Sequence, residues 1–215
     1  MVTGVQTCAL PISRSAPSRR LAKPRGRLVI ATGNAGKLRE YRDLLADTGL
    51  ELVVYDHEVD EVGETYAENA RLKAEAALTA SGLPSIGDDS GVEVDALNGF
   101  PGIRSARLGP TQKERTALLL QRLEGHPRPW TARFTCTIAL AAPGQAMQYF
   151  EGECRGELVP EWRGEAGFGY DPIFLVPGTG KTFGEMPPDE KRRYSHRANA
   201  VRAMLVSGAL ERVNG

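Results

Sequence analysis

Asp88 and Asp89 stand side by side between Gly87 and Gly91, directly after the short apolar run from Leu83 to Ile86. That placement restricts what the segment can become. On a strand or a tight turn, neighbouring side chains point to opposite sides. One carboxylate can then anchor the backbone while the other faces a cleft. Magnesium takes oxygen ligands and keeps several waters, so one or two carboxylates plus substrate phosphates suffice to hold it. Asp-Asp-Ser-Gly is also ordinary turn chemistry, and this segment alone leaves both readings open.

Four further segments carry related chemistry. Leu28-Val29-Ile30-Ala31 reads as a buried strand running into Thr32-Gly33-Asn34-Ala35-Gly36-Lys37, then into a helical pattern with Leu38, Tyr41, Leu44 and Leu45 on one face. A glycine-bearing turn between strand and helix offers backbone N–H groups to an anion. Lys37 adds a point charge for phosphate. The spacing is too short for a Walker loop, and no Ser or Thr follows Lys37. In the second segment, Glu61 to Ala74, Thr65 and Glu68 have capping-box spacing. Ala70, Ala74 and Ala77 form a slim packing face, and Asn69 and Lys73 share a face four residues apart. The third segment, Phe168-Gly169-Tyr170-Asp171, sets two aromatics around a glycine. That pattern suits a flat base, whose hydrogen bonds Asp171 could accept. The fourth, Lys191 to Arg197, opens a C-terminal helix with Ser195 as N-cap, so that His196 and Arg197 project toward an anion or a carbonyl. Each of the four also reads as an ordinary turn, solvated face or core-packed loop.

The 215 residues suffice for one domain or one bilobed unit with a sizeable core. No apolar run approaches a membrane span. Cys8, Cys136 and Cys154 are an odd count without a CxxC pair, which argues against a disulfide framework or a zinc site. A reducing, cytoplasmic setting is expected. The overall charge of zero hides an asymmetry. Residues 1–27 hold six basic residues and no acid, which leaves 21 basic against 27 acidic residues in the remainder, a net of −6. An acidic body is a poor binder of long nucleic acid, whereas a small phosphate substrate held by a few local cations is compatible with it.

The pattern predicts strand 27–32, helix 35–47, strand 51–55, helix 65–80, strands 84–88 and 92–95, and helix 111–124. Two long strands follow, Thr131 to Ala141 and Met147 to Val159, joined by a hairpin at Ala142-Pro143-Gly144-Gln145-Ala146. Early βα units followed by a long hairpin imply a mixed sheet. Trp130, Phe134, Ile138 and Leu140 read as core, and His57 and His126 as solvated loop residues. The stretch Val2 to Ile12 resembles the translation of a common sequencing adapter, so residues 1–26 are expected to be an assembly artefact plus a disordered leader. A transit peptide is the lesser alternative. Residues 27–215 are expected to form a single catalytic domain.

In order, Ala-Thr-Gly-Asn-Ala-Gly-Lys (31–37), Glu-Asn-Ala-Arg-Leu-Lys-Ala (68–74), the run from Asp88 to Arg107, Phe-Gly-Tyr-Asp-Pro-Ile-Phe (168–174) and Ser-His-Arg (195–197) carry a resemblance. Together they resemble the noncanonical purine nucleoside triphosphate pyrophosphatases, the inosine triphosphate pyrophosphatase or Ham1-like family. The resemblance runs from about Arg27 to the C-terminus. It implies an elongated α/β fold, with a mixed sheet and two lobes flanking a nucleotide-binding cleft. It implies cleavage between the α and β phosphates of ITP, dITP or XTP, giving the monophosphate and pyrophosphate and clearing deaminated purines from the nucleotide pool. It further implies Mg2+ as cofactor, a small-molecule nucleotide as substrate and a homodimer.

Carried over by position, Thr32, Gly33, Asn34 and Lys37 would hold phosphates. Glu61 and Asp89 would serve the metal, with Asp60 the alternative to Glu61. Asp89 would also activate the attacking water. Lys73, Ser90, Phe168, Gly169, Tyr170, Asp171, Lys191, His196 and Arg197 would contact the nucleotide. Such a displacement needs charge neutralisation and positioning more than covalent help, and a carboxylate can take the proton from water. No convincing nucleophile is readable in the sequence, so direct attack by water is the simpler course. Arg197 has donors and no acceptor, so it suits the C6 carbonyl of hypoxanthine or xanthine. Guanine shares that carbonyl, so Arg197 alone does not exclude GTP. A Maf-like pyrophosphatase would share the general architecture and chemistry but not the Ser-His-Arg and Phe-Gly-Tyr-Asp motifs. A catalytically dead nucleotide sensor would have lost the acidic residues kept here.

Overall fold

A computed structural model describes residues 26–214. The expected leader and Cys8 lie outside the described residues, except for Gly26. Among the described residues six strands form one mixed sheet in the order β2-β1-β3-β4-β5-β6. β1 (Arg27–Ala31) runs parallel to both β2 (Glu51–Tyr55) and β3 (Ser85–Val94). β4 (Trp130–Ala141), β5 (Gln148–Leu158) and the short β6 (Phe174–Leu175) continue the sheet antiparallel.

The two early crossovers leave β1 in opposite directions. α1 (Ala35–Leu44) leads from β1 to β2, and α2 (Tyr66–Ser81) leads back over β1 to β3. Right-handed connections that run opposite ways must cover opposite faces. The alternation along β1 matches this. Leu28 and Ile30 pack with Tyr41 and Leu45, while Val29 and Ala31 pack with Ala77 of α2. Ala70 and Ala74 bring α2 close to the sheet, as their spacing predicts. At Gly87 the approach is so close that a Cβ would strike the α2 backbone.

The expected pair of strands at 84–88 and 92–95 is one continuous strand, and Asp88 and Asp89 lie mid-strand rather than in a turn. The ladder explains why. Every residue from Ser85 to Val94 pairs with β4, so the glycines do not interrupt the strand. β1 is shorter and ends opposite Gly87. From Asp88 to Val92 β3 therefore pairs on one side only, before Glu93 bridges Pro101, and a cleft opens where β1 stops. Ligands of open α/β sheets bind at this kind of position, beyond the carboxyl ends of strands whose connections diverge.

Two core clusters flank the cleft. One gathers Ile86, Ile138 and Leu140 with α1 and α5 (His196–Val206). The other gathers Val92, Val94, Phe134 and Leu158 with α3 (Gln112–Leu123) and the aromatic loop that ends in β6. Trp130, Phe134, Ile138 and Leu140 are buried, as expected. Among the described residues no helix is long and apolar enough to cross a membrane.

Candidate active site

The cleft has a volume of about 450 Å³, within the range of small-ligand sites. Its floor is set by the pleat of β3. Asp88 and Ser90 point toward α1 and α5, and Asp89 points toward α2. The Asp88 carboxylate is fully enclosed. It accepts Nε and Nη2 of Arg197 at 3.2 and 3.0 Å and pairs with Lys37 at 3.2 Å. Burial alone would raise its pKa, but Lys37 and Arg197 hold it far below the usual carboxylate range. Asp88 is therefore the anchor.

Asp89 lines the cleft. Its Oδ2 accepts from Asn69 Nδ2 at 3.0 Å, and its Oδ1 accepts from the Ser90 N–H at 2.9 Å. Burial raises its carboxyl pKa, and the nearby Glu61 charge adds to this, against Lys73 and Lys37. Lys73, one turn along α2 from Asn69, donates to Glu61 Oε1 at 2.5 Å and to the Asp88 carbonyl at 2.6 Å. Of the two acidic candidates in that loop, Glu61 lines the cleft, while Asp60 is exposed and outside it.

Among the described residues no group of three or more His, Cys, Asp or Glu side chains could hold a metal. Two carboxylates do open on one cleft, beside a loop suited to phosphate. Magnesium bound jointly by a protein and its substrate requires no more than that, so the residues fit it.

The loop after β1 lines the same cleft with Thr32, Gly33, Asn34 and Lys37. Asn34 is the N-cap of α1, with Oδ1 accepting from the Gly36 and Lys37 amides at 2.8 and 3.1 Å. Only its Nδ2 hydrogens remain for a phosphate. Gly36 has a different purpose: a Cβ there would collide with the ring of Phe168.

Phe168 presents its ring to the same cleft, packed against Gly36. Tyr170 does not act as its pair. It is buried, and its hydroxyl donates to the Ser105 carbonyl at 2.9 Å, tying two loops together. The two aromatics do not present a matched pair to the cleft, because the φ of +63° at Gly169 turns the chain between them. Asp171 is buried, and its Oδ2 accepts from the Phe168 N–H at 2.7 Å and from Lys191 Nζ at 2.6 Å. It thus holds the loop and the lysine in place.

α4 (Pro188–Tyr194) ends at Ser195, which caps α5 as expected, with Oγ accepting from the Ala198 N–H. The extended backbone at Ser195 brings Lys191 and Arg197 from the two helices onto one carboxylate, that of Glu40 in α1. His196 stacks on Phe134 at 4.7 Å between centroids. Burial first, then Arg197, push its pKa well below the usual value. His196 lines the cleft, and its buried Nδ1 has no hydrogen-bond partner in the protein.

All the expected site residues line one cleft. Two further residues belong to the same arrangement and were not anticipated as site residues. Asn69 bridges Asp89 and the Gly63 amide. Glu40 joins Lys191 to Arg197. Asn69 shares a helical face with Lys73, which was a usable signal. Glu40 lies on a polar stretch of α1 and gave none.

The Ham1 family profile matches residues 28–207. The dITP/XTP pyrophosphatase of Gloeobacter violaceus is 53% identical over 180 residues, covering 83% of this chain and 92% of that protein. The dITP/XTP pyrophosphatase of Thermus thermophilus is 47% identical over 188 residues, covering 83% and 90%. Among solved structures, a HAM1 protein from Coxiella burnetii superposes with a TM-score of 0.77 at 37% identity, covering 86% of this chain and 98% of that one. The Ham1 protein of Staphylococcus aureus gives 0.74 at 38%, with the same coverage. With the cleft, its floor of paired aspartates and the match over nearly all described residues, this chain belongs to the Ham1 family.

Proposed function

We propose that this chain is a nucleoside triphosphate pyrophosphatase. It hydrolyses ITP, dITP and XTP to the monophosphate and pyrophosphate and so removes deaminated purines from the nucleotide pool. The relatives named as dITP/XTP pyrophosphatases, half identical over almost their whole length, support the substrate class. The observation that carries the mechanism is Asp89, a buried carboxylate of raised proton affinity next to a phosphate-type loop.

In this reading, Thr32, Gly33, Asn34 and Lys37 hold the phosphates, and Lys73 neutralises charge beside them. Glu61 and Asp89 would hold a magnesium ion, which would supply Lewis acidity and charge neutralisation. Asp89 accepts the proton of the attacking water. Asn69 fixes the Asp89 carboxylate so that its free lone pairs face the cleft. Phe168 stacks on the base. Ser90, Lys191, His196 and Arg197 surround the base edge, with Asp171, Gly169 and Tyr170 shaping the loop. Residues 27–215 act as one catalytic unit, in the cytoplasm and as a homodimer, on the strength of the family resemblance.

The deciding experiment is product analysis across ITP, dITP, XTP, GTP and ATP, with Mg2+ and with EDTA. Pyrophosphate release from the first three, abolished by EDTA, is the expected result. Orthophosphate release, or equal turnover of ATP, overturns the proposal. Light scattering tests the dimer, at twice 23.3 kDa.

A further inference from the structure

Lys73 occupies an unusual position for a lysine expected to contact the nucleotide. Its ammonium is directed at three acceptors: Glu61 Oε1 at 2.5 Å, the Asp88 carbonyl at 2.6 Å and Asp89 Oδ1 at 3.9 Å. The side chain is largely buried, and Asp89 is fixed by Asn69 at Oδ2 and by the Ser90 amide at Oδ1, the oxygen that Lys73 approaches. Arg107 steadies the loop that carries Glu61, with Nη1 donating to the Glu61 carbonyl at 3.2 Å. One positive charge thus sits between the two carboxylates assigned to the metal.

We propose that Lys73 is a resident counter-cation of the metal site. In the ligand-free protein its ammonium bridges Glu61 and Asp89 and competes with a divalent cation for them. When a nucleotide triphosphate arrives, Lys73 turns its ammonium to the phosphates and frees both carboxylates. Its four-carbon stem allows the swing, and it already lines the cleft. Metal affinity and nucleotide affinity are then coupled, each raising the other by the same factor. The site stays nearly closed to free cations and takes them together with substrate. This inference rests on the two-carboxylate reading above.

The test is Mn2+ binding followed by electron paramagnetic resonance, without turnover. Wild type, Lys73→Met and Lys73→Gln are titrated with and without the α,β-methylene analogue of ITP. Lys73→Met keeps the apolar stem, and Lys73→Gln keeps an uncharged donor. Without nucleotide, both variants should bind Mn2+ more tightly than wild type, within the roughly 5- to 150-fold range usual for coupled sites. The analogue should tighten Mn2+ binding to wild type strongly and to the variants much less. Lys37→Met should change Mn2+ affinity less than either, because Lys37 pairs with Asp88 rather than with Glu61 or Asp89. If Lys73→Met melts early for want of a cation, a rise in melting temperature on adding Mn2+ that exceeds the wild-type rise gives the same support. Equal or weaker Mn2+ binding by both Lys73 variants overturns the inference and leaves the metal site standing. Absence of Mn2+ binding to every protein, with and without the analogue, overturns the metal site itself and the inference with it.

Discussion

Glu40 and Arg197 form a buried ion pair across 157 residues of sequence, and the same carboxylate also takes Lys191 at 2.6 Å. α1 therefore carries the phosphate-type loop at its N-terminus and, one turn later, the acid that sets Lys191 and Arg197. A shift of α1 moves the loop and both cations together.

That pair makes stability depend on pH. Burial tends to raise the Glu40 carboxyl, but Arg197 and Lys191 bring it down from 4.5 to about 2. A carboxyl with a depressed folded-state pKa stabilises the fold above its unfolded value, and the contribution disappears as pH falls through the folded value. A shift of this size corresponds to on the order of 3 kcal/mol. Glu40→Gln should melt well below the wild type at pH 7. The gap should shrink between about pH 4.5 and pH 2. A gap that is constant over that range assigns the loss to packing instead.

Asp89→Asn preserves shape, and its amide oxygen can still accept from Asn69. It removes the proton acceptor, and the loss should be roughly 10²–10⁴-fold in kcat with the melting temperature nearly retained. Turnover near that of the wild type at saturating Mg2+ would remove Asp89 from the mechanism.

Arg197 was expected to read the C6 carbonyl of the base. Its guanidinium is fully buried and already donates to Asp88, Ser90 and Glu40. Arg197→Ala leaves two buried carboxylates short of a partner, a change that typically costs about 3–5 kcal/mol. Arg197→Lys is the cleaner variant, since it keeps the charge and loses the fork. It should stay folded at 25 °C, lower kcat/KM for ITP and narrow the ITP/ATP ratio, with less effect on ITP/GTP. An unchanged ITP/ATP ratio in the folded variant would make Arg197 purely architectural.

Gly36→Ala tests the base wall. The added methyl meets the Phe168 ring and must push it. A displacement near 1 Å in a positioning group can cost up to about a hundredfold. KM for ITP should rise while the melting temperature changes little. An unchanged KM would mean that Phe168 does not bear on the substrate.

Much of the fold was legible because it rests on local rules. The apolar period of α1, the capping box at Thr65 and Glu68, the alanine face of α2 and the long hairpin all appear near the expected positions. Where the sequence misled, longer-range pairing prevailed. Gly87 and Gly91 look like turn punctuation, yet β4 supplies partners along the whole of β3 and keeps the strand unbroken. Tyr170 sits two residues from Phe168 and faces elsewhere, because Gly169 turns the backbone between them.

The sequence by itself determined the strand-to-helix unit, the adjacent aspartates that alternate across a pleat and the helix start at Ser195. Each follows from spacing along a few residues. Only the tertiary structure decided which aspartate is buried against Arg197 and which faces the cleft, that Glu61 rather than Asp60 turns inward, and that Glu40 joins Lys191 to Arg197. Those outcomes depend on which helix covers each face of β3 and on where β1 ends. Charges far apart in the chain meet only when the sheet stacks them, and no local spacing records that meeting.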